Sequence, residues 1–457
     1  MVNRNDECVL TIERVDQEAR GVARVDGYVW LVPGSLPGER VRARVIKPGA
    51  HFAVARLMEV LEPSPERTDP KCPIYTRCGG CVWQHAKYES TLAYKENYVR
   101  DCLSRIGAIS NPAVLPILGM KNPWRYRNKG SFPVSGSSGK PLVGCYAARS
   151  HDVIDAPQGC LLQTKVSDRL VSTMRGWMSR YHVEPFDETT RRGLIRYIAT
   201  RVNERGESML TIVSNSRSSA LPHARGLICM LRDAEPRLSG ISVSPNDAPG
   251  NAVFGEACKT IWGKRTLTET LDLPLGPLSF EISPHAFFQV NTAQAVRLAS
   301  VVSEFARVSP GCRVADVYSG AGALTLALAQ SGADAVGIEI NSDAVEDARN
   351  NAVMNGMPHV RFIRGDAADA LPKLVLSEGR FDRIALDPPR KGCDSVVLEA
   401  AAHAKPDLII YVSCDPATLA RDVSKLRGHG YAFVKAQPID MFCWTSSVET
   451  VALFSRV

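Results

Sequence analysis

The first sixty residues alternate apolar and polar side chains in short runs: Cys8-Val-Leu-Thr-Ile-Glu, Gly27-Tyr-Val-Trp-Leu-Val, Arg40-Val-Arg-Ala-Arg-Val-Ile and Ala53-Val-Ala-Arg-Leu-Met-Glu-Val. Alternation at period two predicts strands, and Pro33-Gly34, Pro37-Gly38 and Pro48-Gly49 are turn dipeptides between them. About five short strands in so short a stretch predict a small β-barrel over residues 1–62, a shape often used to bind nucleic acid. Pro63-Ser64-Pro65 marks its boundary. Residues 63–270 are mixed, with a cysteine cluster, a helical segment near 88–106 and strands such as 196–202 and 208–213, which predicts an α+β domain. From 271 to 457 apolar runs recur at 313–317, 335–340, 360–364, 381–386, 408–412, 433–438 and 448–454. Helical patterns at 324–330, 343–355, 396–404 and 417–426 separate most of them. Strands alternating with helices predict a doubly wound, Rossmann-like, mostly parallel sheet, whose ligands bind outside the carboxyl ends of the strands.

Those strand ends carry the candidate chemistry. The first runs into Asp316-Val-Tyr318-Ser-Gly320-Ala-Gly322, where two glycines let the backbone approach a ligand. Glu339, nineteen residues after Gly320, ends the second strand and is placed to accept hydrogen bonds from ribose hydroxyls. The third glycine of a dinucleotide fingerprint is replaced by Thr325, which favours a nucleoside cofactor without a pyrophosphate. Asp366 ends the third strand, where it can accept from an adenine amine. Asp387-Pro388-Pro389-Arg390 follows the fourth, its proline pair fixing the loop. Ser413-Cys414-Asp415-Pro416 ends the fifth and opens a helix, whose positive end is expected to favour the Cys414 thiolate. Glu449, flanked by apolar residues in the last strand, is expected to have a raised pKa. A thiolate and a carboxylate on one edge form a nucleophile and base pair.

A second constellation lies upstream. Cys72-x5-Cys78-Gly-Gly-Cys81, with Cys160 in Pro157-Gln-Gly-Cys-Leu, offers three close thiols and a distant fourth. That set suits an iron–sulfur cluster or a tetrahedral metal, with zinc second because two Cys-x2-Cys knuckles are missing, and Cys145 competes as fourth ligand. Between them Lys121-Asn-Pro-Trp124-Arg125-Tyr126-Arg127-Asn-Lys129 interleaves cations and aromatics without an acid, a pattern expected to bind phosphates and stacked bases.

Charge sharpens this picture. The net charge of the 457 residues is +7, but residues 63–200 hold twenty basic against eleven acidic residues, while 271–457 hold seventeen against twenty-one. A basic middle beside a mildly acidic C-terminal third suits a polyanion docked on the middle. No apolar run is long enough to span a bilayer, no secretory signal is evident, and thirteen cysteines in this length suit a reducing cytoplasm.

Together these residues resemble the RNA (uracil-5-)-methyltransferases, over nearly the whole chain. The most specific parts are the Cys72, Cys78, Cys81 and Cys160 set, Phe288-Gln289-Val-Asn291, Asp387-Pro-Pro-Arg390, the segment from Tyr411 through Cys414 to Asp422, and Asp440-Met-Phe442 leading to Glu449. The resemblance implies an N-terminal TRAM barrel (OB-like), a [4Fe-4S] cluster on the four cysteines and S-adenosyl-L-methionine bound by the C-terminal domain. It implies Cys414 as nucleophile and Glu449 as base, with Gln289, Tyr318, Glu339, Asp366 and Asp387 near the cofactor, while Gly320 and Gly322 beside the cofactor and Trp124, Arg125, Arg127 and Lys129 on RNA are expected from their own pattern. Members with both barrel and cluster methylate 23S ribosomal RNA, which makes that RNA the expected substrate, tRNA the alternative, and a cytoplasmic monomer the expected state. Cys443-Trp444-Thr445-Ser446-Ser447 departs from the family's usual Pro-His-Thr-Gly-His before the base, and Ala323 stands where Asn is common. Two other readings, an RNA-binding protein with a dead catalytic domain and a redox protein, leave either the retained Cys414 and Glu449 or the cofactor-type strand ends without a purpose.

Overall fold

The computed structural model describes residues 2–457. Its N-terminal unit comprises β1 (Glu7–Thr11), β2 (Arg14–Val15), β3 (Arg20–Val25), β4 (Tyr28–Pro33), β5 (Arg40–Pro48) and β6 (Phe52–Glu62), in the order β1-β5-β6-β4-β3-β2. β5 shows why the alternation was legible: Val41, Ala43 and Val45 are buried while Arg40, Arg42 and Arg44 are exposed. Those buried residues meet Leu10, Ile12, Trp30 and Val32 in a separate small core.

The middle of the chain supplies α1 (Tyr88–Arg105), β7 (Lys129–Ser137), β8 (Lys140–Tyr146), β9 (Val153–Asp155), α2 (Lys165–Arg180), β10 (Ile195–Val202), β11 (Ser208–Ser214), α3 (Ala224–Ala234), β12 (Leu238–Pro245) and β13 (Lys259–Gly263). Its strands form a seven-stranded sheet in the order β13-β12-β11-β10-β7-β8-β9. α2 and α3 cover it, burying Leu170, Met174, Trp177, Leu227 and Leu231 against Ile198, Leu210, Ile212 and Ile241.

The C-terminal unit begins with the hairpin β14 (Leu267–Leu273) and β15 (Gly276–Ile282), followed by α4 (Thr292–Ala306), β16 (Arg313–Val317), α5 (Ala323–Ala329), β17 (Asp334–Glu339), α6 (Ser342–Met354), β18 (Arg361–Arg364), α7 (Ala367–Glu378), β19 (Arg383–Leu386), α8 (Ser395–His403), β20 (Leu408–Ser413), α9 (Pro416–Gly428), β21 (Tyr431–Ile439) and β22 (Glu449–Arg456). The sheet order is β18-β17-β16-β19-β20-β22-β21, with β16 to β20 parallel and β22 antiparallel between β20 and β21. The order reverses between β16 and β19, which opens a crevice at their carboxyl ends. α7 separates β18 and β19 although Pro372 lies within it.

α1 departs from the sequence reading, which placed it in the central domain. Its Val99, Cys102 and Leu103 join the core of the C-terminal unit with Leu419, Ala420 and Val423 of α9. Residues 113–118 follow it onto the edge of β21, where Val114 bridges Ala436 and Leu118 bridges Ile439. The apolar stripe of α1 is satisfied by a helix three hundred residues downstream, a pairing that local periodicity does not carry. No helix among the described residues is long and apolar enough to cross a membrane.

Candidate active site

The crevice beside β16 is lined by Phe288, Gln289, Asp316, Tyr318, Gly320 and Asp387, so four of the expected cofactor residues meet there. Tyr318, Gly320 and Gly322 all carry positive φ (70°, 54° and 89°), which folds the loop back over the strand end. The conformation suits the two glycines and strains the tyrosine. Glu339 braces this loop, its two oxygens accepting from the Gly320 N–H at 3.0 Å and the Asn341 N–H at 2.8 Å. Asp366 caps α7 by accepting from the Ala368 N–H at 2.9 Å. Glu339, Asp366 and Gly322 lie outside the residues that line the crevice itself.

Asp316, which the sequence reading did not single out, is fully buried and accepts from Thr325 Oγ1 at 2.5 Å while its second oxygen has no partner. Burial pushes its carboxyl up to about 7. The residue that fails the dinucleotide pattern, Thr325, thus serves as the hydrogen-bond donor to this acid. The signal was present in the pair's spacing across the loop. Gln289 is positioned by Asn128, whose amide donates to the Gln289 carbonyl at 2.9 Å.

Cys414 and Glu449 lie at one end of the sheet. The β20–β22 ladder ends at Ser413 with Thr450, so Cys414 follows its last residue on one strand and Glu449 opens the other, near enough for the carboxylate to act on the thiol. Glu449 is buried, and burial followed by the charge of Asp387 pushes its carboxyl up to about 8, with Arg390 opposing. Burial also lifts Asp387 to about 7. The expected direction for Glu449 is therefore met.

The expectation for Cys414 is not. Burial, then Glu449, push its thiol up to about 11, with Arg390 opposing, so the free protein holds it protonated. The helix end that should have stabilised a thiolate is already consumed: Asp415 accepts from the Ala417 and Thr418 N–H groups at 2.9 and 3.1 Å, and Pro416 has no N–H. The anionic partners outweigh what remains. Arg390, which ends the proline loop after β19, is the cation shared by Cys414 and Glu449.

Asp422 rigidifies this edge. Fully buried, it accepts from the Cys393 N–H at 2.9 Å and the Tyr411 hydroxyl at 2.7 Å, tying the loop that carries Arg390 to β20.

The thiols also converge. Cys72, Cys78, Cys81 and Cys160, with Cys145, line one cavity of about 380 Å³ between the segment before α1, β8 and the turn before α2. The Gly80 N–H reaches Cys78 Sγ at 3.3 Å. Contact with Cys145 pulls the Cys78 thiol down to about 6, while burial pushes Cys81 up to about 12. No three His, Cys, Asp or Glu side chains among the described residues stand at metal-binding spacing. The chemistry of five thiols around one space nevertheless fits a thiophilic cluster.

The basic strip is largely turned inward, which corrects the expectation of a phosphate track. Arg125 donates to the Cys160 and Gln163 carbonyls at 2.8 and 3.0 Å and pairs with Asp168. Trp124 stacks on Trp444, ring centroids 4.6 Å apart. Arg127 and Lys129 line the thiol cavity, and burial lowers Lys129 to about 7. Both side chains thus face the thiol cavity, which accounts for part of a run of charge that composition alone assigns to RNA.

The departures before Glu449 are structural ties. Trp444, at φ 66°, donates its indole N–H to the Pro123 carbonyl at 3.0 Å, and its own carbonyl accepts from the Val82 and Trp83 N–H groups at 2.8 and 3.2 Å. Lys95 and Tyr88 of α1 hold buried Asp440 at 2.5 and 2.6 Å. The loop from Asp440 to Glu449 therefore joins the cysteine segment to the catalytic strand.

Comparison with known proteins agrees with this organisation. A family described as tRNA (Uracil-5-)-methyltransferase matches residues 254–457, and the TRAM domain matches residues 3–58. The chain is 38% identical over 453 residues to an uncharacterized RNA methyltransferase of Halalkalibacterium halodurans, covering 99% of this chain and 97% of that protein. An uncharacterized RNA methyltransferase of Listeria monocytogenes is 37% identical over 456 residues, covering 99% and 98%. In fold, the chain is similar to the Pyrococcus abyssi tRNA (uracil-54, C5)-methyltransferase solved with S-adenosyl-L-homocysteine, at a TM-score of 0.77 and 24% identity over 98% of this chain and 100% of that one.

Proposed function

The chain belongs to the RNA (uracil-5-)-methyltransferase family, and from that premise we propose that it methylates carbon 5 of a specific uridine in 23S ribosomal RNA. The observation that carries the chemistry is the grouping of Cys414, Glu449 and Arg390 at the end of the β20–β22 ladder around Asp387, which also lines the crevice where the expected cofactor residues meet. Carbon 5 of uracil is a weak nucleophile, and covalent catalysis makes it a strong one.

The Cys414 proton passes to solvent as substrate binds, and its sulfur bonds to carbon 6, pushing the ring electrons onto the carbon-4 oxygen as an enolate. Gln289, Tyr318, Gly320, Glu339, Asp366 and Asp387 would hold S-adenosyl-L-methionine, which would supply an electrophilic methyl group on a sulfonium. Carbon 5 would take that methyl as the enolate electrons return, with the sulfonium–methyl bond breaking to leave S-adenosyl-L-homocysteine. Glu449 then removes the carbon-5 proton, the ring double bond re-forms, and the carbon 6–sulfur bond breaks to regenerate Cys414. Arg390 offsets the charge of both side chains during these steps. The uridine must leave its stack to reach Cys414, so an unpaired loop is the target.

Cys72, Cys78, Cys81 and Cys160 would hold the [4Fe-4S] cluster, with Arg127 and Lys129 offsetting its negative charge. No step of methyl transfer runs through it. Barrel and thiol cavity together support the ribosomal substrate. The tRNA reading draws on the full-length fold likeness to a tRNA enzyme, so the RNA decides. Labelled S-adenosyl-L-methionine with unmodified 23S RNA and unmodified tRNA in parallel should give 5-methyluridine in the 23S sample. Label confined to tRNA would replace the substrate, and label in neither would refute the activity.

A further inference from the structure

A cavity of about 500 Å³ lies between the barrel and α1. It is unused by the mechanism above. Arg14 enters it from β2, Tyr94, Tyr98 and Arg105 from α1, Trp83 from the cysteine segment and Ser446 from the loop before Glu449. Its walls are bolted to the catalytic edge. Lys95, also in the wall, holds Asp440, and the Trp83 N–H holds the Trp444 carbonyl. The Tyr98 hydroxyl donates to Gln17 of the barrel at 3.1 Å. Asp415, next to Cys414, lies near enough to act on both Tyr98 and Cys102.

The barrel's charges say which of its edges meets RNA. On β5 the exposed arginines are each taken by a carboxylate: Arg40 by Glu62 at 2.9 Å, Arg42 by Glu59 at 2.7 Å and Arg44 by Glu7 at 2.5 Å. Arg14, exposed at the cavity mouth, forms no ion pair among the described residues, and Arg105 makes only a long, exposed one to Asp101 at 3.6 Å. Lys47 and Arg56 leave some free charge on the β5–β6 face, but at this cavity the free cations Arg14 and Arg105 stand beside aromatic side chains. Inside, two half-buried tyrosines, with Trp83 tilted against Tyr94 at 5.3 Å, offer the aromatic surface on which an unstacked base rests.

We propose that this cavity binds a second, unstacked nucleotide of the same RNA strand whose target uridine sits at Cys414, its base against Tyr98 and Tyr94 and its phosphate at Arg14. This deepens, and rests on, the RNA reading above. An enzyme that must extract one base from a loop gains by capturing a neighbour, since the captured base cannot restack behind the target. Glu13 at the rim supplies an acceptor for an exocyclic amine, which favours a base that carries one.

The test uses an RNA hairpin with the target uridine in its loop, and a series with one abasic site at each flanking position. One position should weaken binding to the wild type about tenfold when abasic, the worth of one stacked base. Tyr98→Leu should cause the same loss on the intact hairpin and none further on that abasic one, and Tyr98→Phe should recover most of it. Arg14→Ala, an exposed change that folding tolerates, should weaken binding severalfold and lower the salt slope by about one phosphate contact. Arg42→Ala should bind within twofold of wild type. Additive losses for Tyr98→Leu at every abasic position, or equal losses for Arg14 and Arg42, would overturn the cavity's role while methylation by the wild type stands. If the wild type methylates no RNA, the underlying reading falls instead, and this proposal with it.

Discussion

The Cys414–Glu449 edge and the thiol cavity are built in opposite ways. Glu449 opens β22 and Cys414 follows the last residue of β20, so both stand at one end of a regular hydrogen-bonded ladder. The thiols stand on a segment with little regular structure: no strand or helix is formed between Glu62 and Tyr88. Cys72, Cys78 and Cys81 are held by isolated contacts, such as the bridge from Cys78 to Ala147 and the bond from the Cys72 N–H to Gln84 at 3.1 Å. A sheet pre-organises its site through backbone geometry, whereas an irregular segment gains order from what it binds. The two are joined by the loop through Trp444 and by Asn128, which holds Gln289 from the strip beside the thiols, so each link can be broken by its own substitution.

The largest effect falls on the sheet side. Cys414→Ala should lower single-turnover methylation by about 10⁴-fold or more while RNA affinity stays within severalfold. Unchanged turnover would remove the nucleophile from the account. Glu449→Gln should lower turnover by about 10² to 10⁴-fold and leave a protein–RNA adduct visible on a denaturing gel, because addition and methyl transfer proceed without the final deprotonation. Loss of activity with no adduct would assign Glu449 to an earlier step.

On the thiol side, Cys78→Ser should abolish bound iron and the brown absorbance near about 400 nm, and make residues 63–87 a protease site. The purified C-terminal fold should keep its Cys414 reactivity toward an alkylating probe. A colourless wild type with stoichiometric zinc would contradict the cluster. Trp444→Leu tests the link, since it removes the stack on Trp124 and the bond to Pro123. A loss of about 2–4 kcal/mol of stability is expected, with iron and turnover falling together.

The smallest effect is on pH. Glu449, raised to about 8, binds a proton more tightly in the folded state, so its contribution to stability is present at acid pH and is lost as pH rises toward that value. Its ionised form, the base, grows over the same range. The single-turnover rate should rise through about pH 8 in the wild type, and the melting temperature of Glu449→Gln should decline less steeply between about pH 5 and 8.

Much of the fold was legible because period-two and helical patterns report burial directly, as β5 and the C-terminal strands show. The meeting of Cys414 with Glu449 was legible because strand ends in such a sheet converge. Part of what escaped was long-range: α1 packs on α9 and Arg125 bonds to the turn at Cys160, each through a partner far along the chain. The rest was local competition: Asp415, two residues before Ala417, consumes the helix end that was credited to Cys414. α7 was hidden by Pro372, and its cap Asp366 was read only as a ligand for the cofactor.

The most direct test of the covalent mechanism is mass spectrometry of the protein after reaction with S-adenosyl-L-methionine and a hairpin carrying 5-fluorouridine at the target. Fluorine at carbon 5 leaves no proton for Glu449 to remove, so the adduct should accumulate. The account predicts one peptide, containing Cys414, that carries the methylated nucleotide. An adduct on any other cysteine, or 5-methyluridine made from normal RNA with no adduct from the fluorinated one, would contradict it.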